Sequence, residues 1–421
     1  MMLNNSITCL FSIALFSISC KSPQPTRTTP PDVLSDILHT HRNTLGKVLS
    51  NPDEYQVQII YTQINRDDNN EPQFSSYYHS EDSARYFYPA STVKMPLAFL
   101  AIERINQLQK TYPALQLTTP YRMDSMRYRQ MPLREDISAA NGLPSVAHDI
   151  KKIFLVSDNF SYNNLFDFLG REYINKTLWG KGYTRTGIMH RFYLGGIDNR
   201  YTRPVTFYEG ASDILRLPER LDTVIYKNPQ HHLQQGKGYI NGDDQLVEKP
   251  FDFGEKNWMS LQDMHDMLKA VMFPASVPVH QRFDLTESDY RFLYSWMSAF
   301  PRESEYPAYD TTEYYDGYVK FFLYGDGRQQ RPEQIRIFNK VGQAYGYLTD
   351  VAYIVDFQKN IEFMIAATIR CNEDGVFNDD HYSYEDVGFP FLANLGRAVY
   401  EYEVKRKRQH SPDLGRFKKN R

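Results

Sequence analysis

Three short groups of residues stand in an order that suits acyl-transfer chemistry. Ser91-Thr92-Val93-Lys94 opens an apolar run that reads as a helix, and a three-residue spacing there puts Ser91 and Lys94 on one face. A serine hydroxyl attacks a carbonyl only once a base takes its proton, and a lysine of depressed pKa is such a base. A place in the first helical turn, which Pro96 supports, adds the positive end of the helix dipole at the point of attack. Taken alone, Ser91 also reads as a helix cap. Ser157-Asp158-Asn159 comes next. Its hydroxyl can relay a proton to a leaving nitrogen, and the Asn159 amide can hold a substrate carbonyl together with a lysine. A polar turn with an N-cap is the other reading. Lys340-Val341-Gly342 ends a late strand. Alternation turns Lys340 with Phe338 to one face and Ile335 with Ile337 to the other. Gly342 lets a ligand approach the backbone, and the Gln343 amide is placed to donate to an oxyanion. A solvated strand-end lysine is the alternative.

In this order the three groups match the set used by class A β-lactamases and penicillin-binding proteins. The chain resembles those serine hydrolases over residues 32–403. The resemblance implies an α/β (α+β) fold of the β-lactamase/transpeptidase type: an antiparallel sheet flanked by N- and C-terminal helices, beside an all-helical lobe. It makes Ser91 the acylated nucleophile, Lys94 its general base, Ser157 the proton relay, and Asn159 and Lys340 the substrate-orienting groups. The Ser91 and Gln343 amides would form the oxyanion hole. The substrate would be a small-molecule or peptide amide, either a β-lactam or a cell-wall-type peptide.

The departures bear on substrate and turnover. The family's omega loop carries a glutamate that activates the deacylating water, whereas the matching stretch His190–Asn199 (HRFYLGGIDN) contains none. Asp198 and Glu209, the nearest acids, do not stand where that motif requires. Val341 replaces the usual hydroxyl residue that binds a substrate carboxylate, and Gln343–Asp350 holds no arginine. These changes leave acylation intact and predict slow deacylation. A D,D-peptidase on the same scaffold is therefore the first alternative, and a non-catalytic envelope binding protein the second.

The elements that position these groups follow from periodicity. Asp32–Ser50 carries one apolar stripe and reads as a helix. Gln56–Gln63 and Phe74–His79 read as strands around an Asp/Asn-rich turn. Helical spacing marks the run after Ser91, Val146–Val156, Asn164–Gly170 and Trp258–Met272, with an inserted excursion over 210–258. Gln334–Lys340, Asp350–Phe357 and Ile361–Ile369 are strands, the last two joined as a hairpin. Phe389–Lys405 is an amphipathic helix. This order places the sheet part at about 32–90 and 285–403, the helical lobe at about 91–284, and a solvated basic tail over 404–421.

Residues 1–20 read as a lipoprotein signal peptide. Ile7–Ile18 is apolar and too short to span a bilayer, and Ser17-Ile18-Ser19 precedes Cys20, the expected lipidation site. The Pro/Thr-rich 21–31 stretch is a tether. These features predict a periplasm-facing envelope lipoprotein that meets the membrane through its lipid alone. With 3 Cys in the chain, only Cys371 remains in the folded part, and it reads as a buried structural thiol. A net charge of -3 over 421 residues gives no blanket basic surface, which argues against nucleic acid. His231, His232 and His280 match no metal-ligand spacing, Asp374–Asp386 lacks EF-hand alternation, and no Gly-rich phosphate loop occurs. The expectation is a monomer with no metal or other cofactor.

Overall fold

β-Branched and aromatic runs from the two ends of the chain meet in one antiparallel sheet. The computed structural model describes residues 32–125, 131–193 and 195–418; the signal segment, the tether, Cys20 and residues 419–421 lie outside the described residues. The strands are β1 (Gln58–Arg66), β2 (Pro72–His79), β3 (Ile335–Ala344), β4 (Tyr347–Asp356) and β5 (Ile361–Arg370), ordered β3-β4-β5-β1-β2 across the sheet. The β4–β5 hairpin takes the expected antiparallel form, pairing Asp356 with Ile361 and Tyr347 with Arg370. In the other register that matters, Lys340 of β3 lies opposite Val351.

Both faces of the sheet are covered, so its central strands are apolar on both sides. Ile59, Tyr61, Ile337, Ile354 and Ile365 point to one face, where helices Val33–Thr40, Arg42–Leu49 and Phe389–Lys405 bury Leu34, Leu45, Leu392 and Leu395. Ile60, Phe338, Val351, Tyr353 and Met364 point to the other face, against Met264, Leu268 and Leu293 of the lobe. The helix expected over Asp32–Ser50 is two, divided at His41 (φ -101°, ψ 23°).

The lobe carries helices Lys94–Gln109, Val146–Val156, Asn159–Leu169, Arg171–Gly180, Leu261–Met272 and Glu287–Ser298, together with short sheets. Arg171–Gly180 and Glu287–Ser298 are absent from the sequence-based reading. The second is rich in aromatic residues, which suit a strand equally well, but a Thr286–Asp289 capping box starts it as a helix: Thr286 Oγ1 accepts from Asp289 N at 3.2 Å and Asp289 Oδ2 from Thr286 N at 2.8 Å. The 210–258 stretch is tied down at several places. Val205–Glu209 pairs with Tyr121–Met123 and Ser212–Leu217, Trp258–Met259 with Thr186–Gly187, and Gly238–Tyr239 runs parallel to Val376–Phe377. No helix among the described residues is long and apolar enough to cross a membrane.

The C-terminal segment, expected to be solvated, is a strap. Ser411 O and Asp413 N both bond the Asn70 side chain, at 2.9 and 2.8 Å. Beyond them Leu414 and Phe417 are buried. The Phe417 ring packs among Tyr353, Tyr294 and Phe338 at centroid distances of 4.9, 5.2 and 5.7 Å. Two apolar residues in a basic run are a weak signal, and the aromatic socket that receives them is assembled from distant parts of the chain. Phe417→Ala is expected to destabilise the fold by about 3 kcal/mol, the low end for a buried phenylalanine because a chain end shifts easily. Denaturant unfolding measures this; a loss below about 1 kcal/mol would show that the strap is not part of the core.

Candidate active site

The three residue groups converge where the lobe meets the free edge of β3. Ser91 lies in a 3₁₀ turn, Ala90–Val93, which runs into the Lys94–Gln109 helix. Lys94 N donates to Ser91 O, so both residues belong to the same tight turn. Ala90 has φ 47°, a left-handed conformation that strains a residue bearing Cβ. The contact that holds this turn lies on β3. A Cβ on Gly342 would stand 2.5 Å from Pro89 O and 3.1 Å from Thr92 Cγ2. Gly342 therefore seats the Ser91 turn against the strand, a packing reason distinct from the substrate approach expected of it.

The Ser157-Asp158-Asn159 group divides its work. Ser157 ends the Val146–Val156 helix with φ 60° and ψ 39°, so its carbonyl and hydroxyl both face the cleft. Asp158 is the N-cap of the next helix, its carboxylate accepting from Ser161 N at 2.6 Å. Capping and site chemistry thus coexist on adjacent residues.

Lys94 Nζ donates to Asn159 Oδ1 at 2.7 Å, to Ser157 Oγ at 3.3 Å, and to Ser157 O. Lys340 Nζ donates to the same Ser157 Oγ at 2.8 Å and to Val341 O at 2.8 Å. One hydroxyl therefore bridges two amines, each almost wholly buried. Burial pushes Lys94 down to about 7, although the Asp158 charge opposes the shift. Burial also lowers Lys340 well below the usual lysine range, and the neighbouring Lys94 charge adds to the fall. Ser91, Lys94, Ser157, Asn159, Lys340 and Gly342 are thus brought together. Gln343 follows on the strand and is exposed. Among the described residues no hydrogen bond joins Ser91 Oγ to Lys94, whose amine is turned to Ser157 and Asn159. Val341 is buried in the core on the far face of the sheet, among residues that include Val319 and Phe321.

Several site residues escaped the sequence reading. Phe192 lies with its ring 5.3 Å from Lys94 Nζ. The Asn163 amide clamps the Phe192 backbone, donating to its carbonyl at 2.9 Å and accepting from its N–H at 2.9 Å. Asp167, one helical turn further on, is buried between two guanidiniums. It accepts from Arg191 Nη2, from Arg203 N at 2.9 Å and from Arg203 Nε at 2.7 Å. Burial raises its pKa, but Arg191 and Arg203 outweigh that and hold the carboxyl below its usual value. A polar stripe, Asn163, Asn164 and Asp167, on an otherwise apolar helix was the signal available for them. Asp198, by contrast, is bonded by Arg200 at 2.6 Å near the surface. Cys371 is buried, as expected, with burial raising its pKa. No group of three or more His, Cys, Asp or Glu among the described residues could hold a metal ion.

An antiparallel sheet helix-covered on both faces, with this cleft at its edge, defines a protein of the β-lactamase/transpeptidase-like class. A family model described as "Beta-lactamase enzyme family" matches residues 42–402, and the chain belongs to that family. Among solved structures it is similar to a β-lactamase from Sphaerobacter thermophilus DSM 20745, at 14% identity over 89% of this chain and 98% of that one, TM-score 0.46. It is also similar to PBP-A, at 14% identity over 90% and 100%, TM-score 0.46. A third is the β-lactamase from Streptomyces albus G, at 10% identity over 86% and 99%, TM-score 0.45. No curated protein matches the chain by sequence.

Proposed function

We propose that this protein is a serine hydrolase of the class A type that opens an amide, a β-lactam or a cell-wall-type peptide bond, through an acyl-enzyme on Ser91. The observation that carries the reading is the Ser157 hydroxyl set between Lys94 and Lys340 at 3.3 and 2.8 Å. Neutral Lys94 takes the Ser91 proton, and Ser91 Oγ bonds to the amide carbon. The oxyanion is met by the Ser91 and Gln343 amides. Lys94 passes the proton through Ser157 to the leaving nitrogen, and the C–N bond breaks, leaving an ester on Ser91. Asn159 and Lys340 orient the substrate. A D,D-peptidase on the same machinery is the second reading, favoured by the absence of a glutamate in the described part of His190–Asn199.

The pH dependence of acylation tests the assignment of the base. Lys94 acts only when neutral, and its pKa is pushed down to about 7. The rate of labelling by a fluorescent penicillin should therefore climb as pH passes about 7 and level off above it. A rate that falls over that interval, or labelling that Ser91→Ala leaves intact, would remove the reading.

A further inference from the structure

We propose that His190 is the base that activates the water for hydrolysis of the Ser91 ester. The inference rests on the reading of Ser91 as nucleophile and fills the step for which that reading has no residue. Nδ1 of His190 lies 2.8 Å from Arg191 O. A carbonyl only accepts, so Nδ1 carries the proton and Nε2 carries a free lone pair. Nε2 is buried and has no hydrogen-bond partner. A buried acceptor with no donor is destabilising, and an internal water is the donor that would meet it.

The imidazole packs among aromatic rings that adjoin the Ser91 turn and Lys94. It stacks on Tyr88, centroids 6.5 Å apart and planes within 4°, just ahead of the Ser91 turn. It meets Phe192 edge-on at 5.8 Å, and Phe192 in turn lies 5.3 Å from Lys94 Nζ. Its backbone is held on both sides: Asn257 Oδ1 accepts from His190 N at 3.1 Å, and Tyr162 OH donates to His190 O at 2.9 Å. Burial pushes the ring down to about 4, against the opposing bond to Arg191 O and with Lys256 adding to the shift, so the neutral base form persists across the neutral range. Asp198, the acid nearest in sequence, is already bonded by Arg200. In the step itself the water oxygen bonds to the ester carbonyl carbon while its proton passes to Nε2. The oxyanion so formed collapses, the C–Oγ bond breaks, and the proton held on Nε2 goes to Ser91 Oγ. The products are a carboxylic acid and free Ser91. A base this weak leaves deacylation slower than acylation, as the missing glutamate predicts.

The test follows the penicillin G adduct by intact-mass spectrometry in the wild type, His190→Ala and His190→Asn. The asparagine keeps a donor near the Nδ1 position and deletes Nε2, so it carries the test if the alanine protein folds badly. All three should form the adduct at similar rates, and both variants should release it roughly 10²-fold more slowly. Added imidazole, which fits the gap between Tyr88 and Phe192, should restore release in His190→Ala. Release at the wild-type rate overturns the inference, as does slow release that imidazole leaves slow, the mark of a disturbed loop. A wild type that forms no adduct would overturn the Ser91 reading and this one with it. A labelled wild type beside variants of unchanged release would overturn this one alone.

Discussion

Lys94→Ala is expected to slow acylation of Ser91 by more than the roughly 10²–10⁴-fold that a lone acid–base group supplies. That range corresponds to roughly 3–5 kcal/mol of barrier. The excess arises because the amine does two things at once. It is the base for Ser91, and its three hydrogen bonds hold Ser157 and Asn159 in place. Removing it leaves those acceptors without their donor and the Ser157–Lys340 contact without its counterpart. Nucleophile and base act as a unit, so Ser91→Ala combined with Lys94→Ala should be no worse than Ser91→Ala alone. Stopped-flow mixing with a chromogenic β-lactam gives the acylation rate. A Lys94→Ala protein that acylates within tenfold of the wild type would show that another group deprotonates Ser91.

Asp167→Ala is expected to destabilise the fold by about 3–5 kcal/mol, the range for breaking a buried ion pair by removing one partner. The side chains of Asp167 and Arg191 are fully buried and that of Arg203 is nearly so. Without the carboxylate, two guanidinium charges stay in the interior with carbonyl and amide partners only: Tyr201 O for Arg191 at 2.6 Å and Asn164 Oδ1 for Arg203 at 2.9 Å. Because Arg191 adjoins Phe192, the same substitution should loosen the wall beneath Lys94 and open the segment around it to proteolysis. Denaturant unfolding together with limited proteolysis measures both effects. Stability within about 1 kcal/mol of the wild type would mean that the arginines find other partners and the triad is not what pins the loop.

What could be read from sequence was whatever a short stretch encodes by itself. The helices Val146–Val156 and Phe389–Lys405 appear with the expected ends because their apolar spacing is local. The hairpin around Gln358-Lys359-Asn360 is likewise local. The two lysines were legible as chemistry because the order of their motifs carried a resemblance, although no local pattern brings Lys340 to Ser157. What stayed hidden depends on pairs of segments. Gly342 is glycine because Pro89 O, far off in sequence, lies against it. Asp167 is an interior acid because Arg191 and Arg203 come back to it from a later loop. Phe417 is core because Tyr353 and Tyr294 form a socket. In each case the residue type is ordinary and the partner supplies the meaning.

The most direct measurement is peptide mapping of the protein after reaction with penicillin G, read by mass spectrometry. A single covalent adduct, the mass of the intact ligand, is expected on the peptide containing Ser91, and none on Ser91→Ala. An adduct on any other residue, or wild type and Ser91→Ala labelled alike, would rule out Ser91 as the nucleophile.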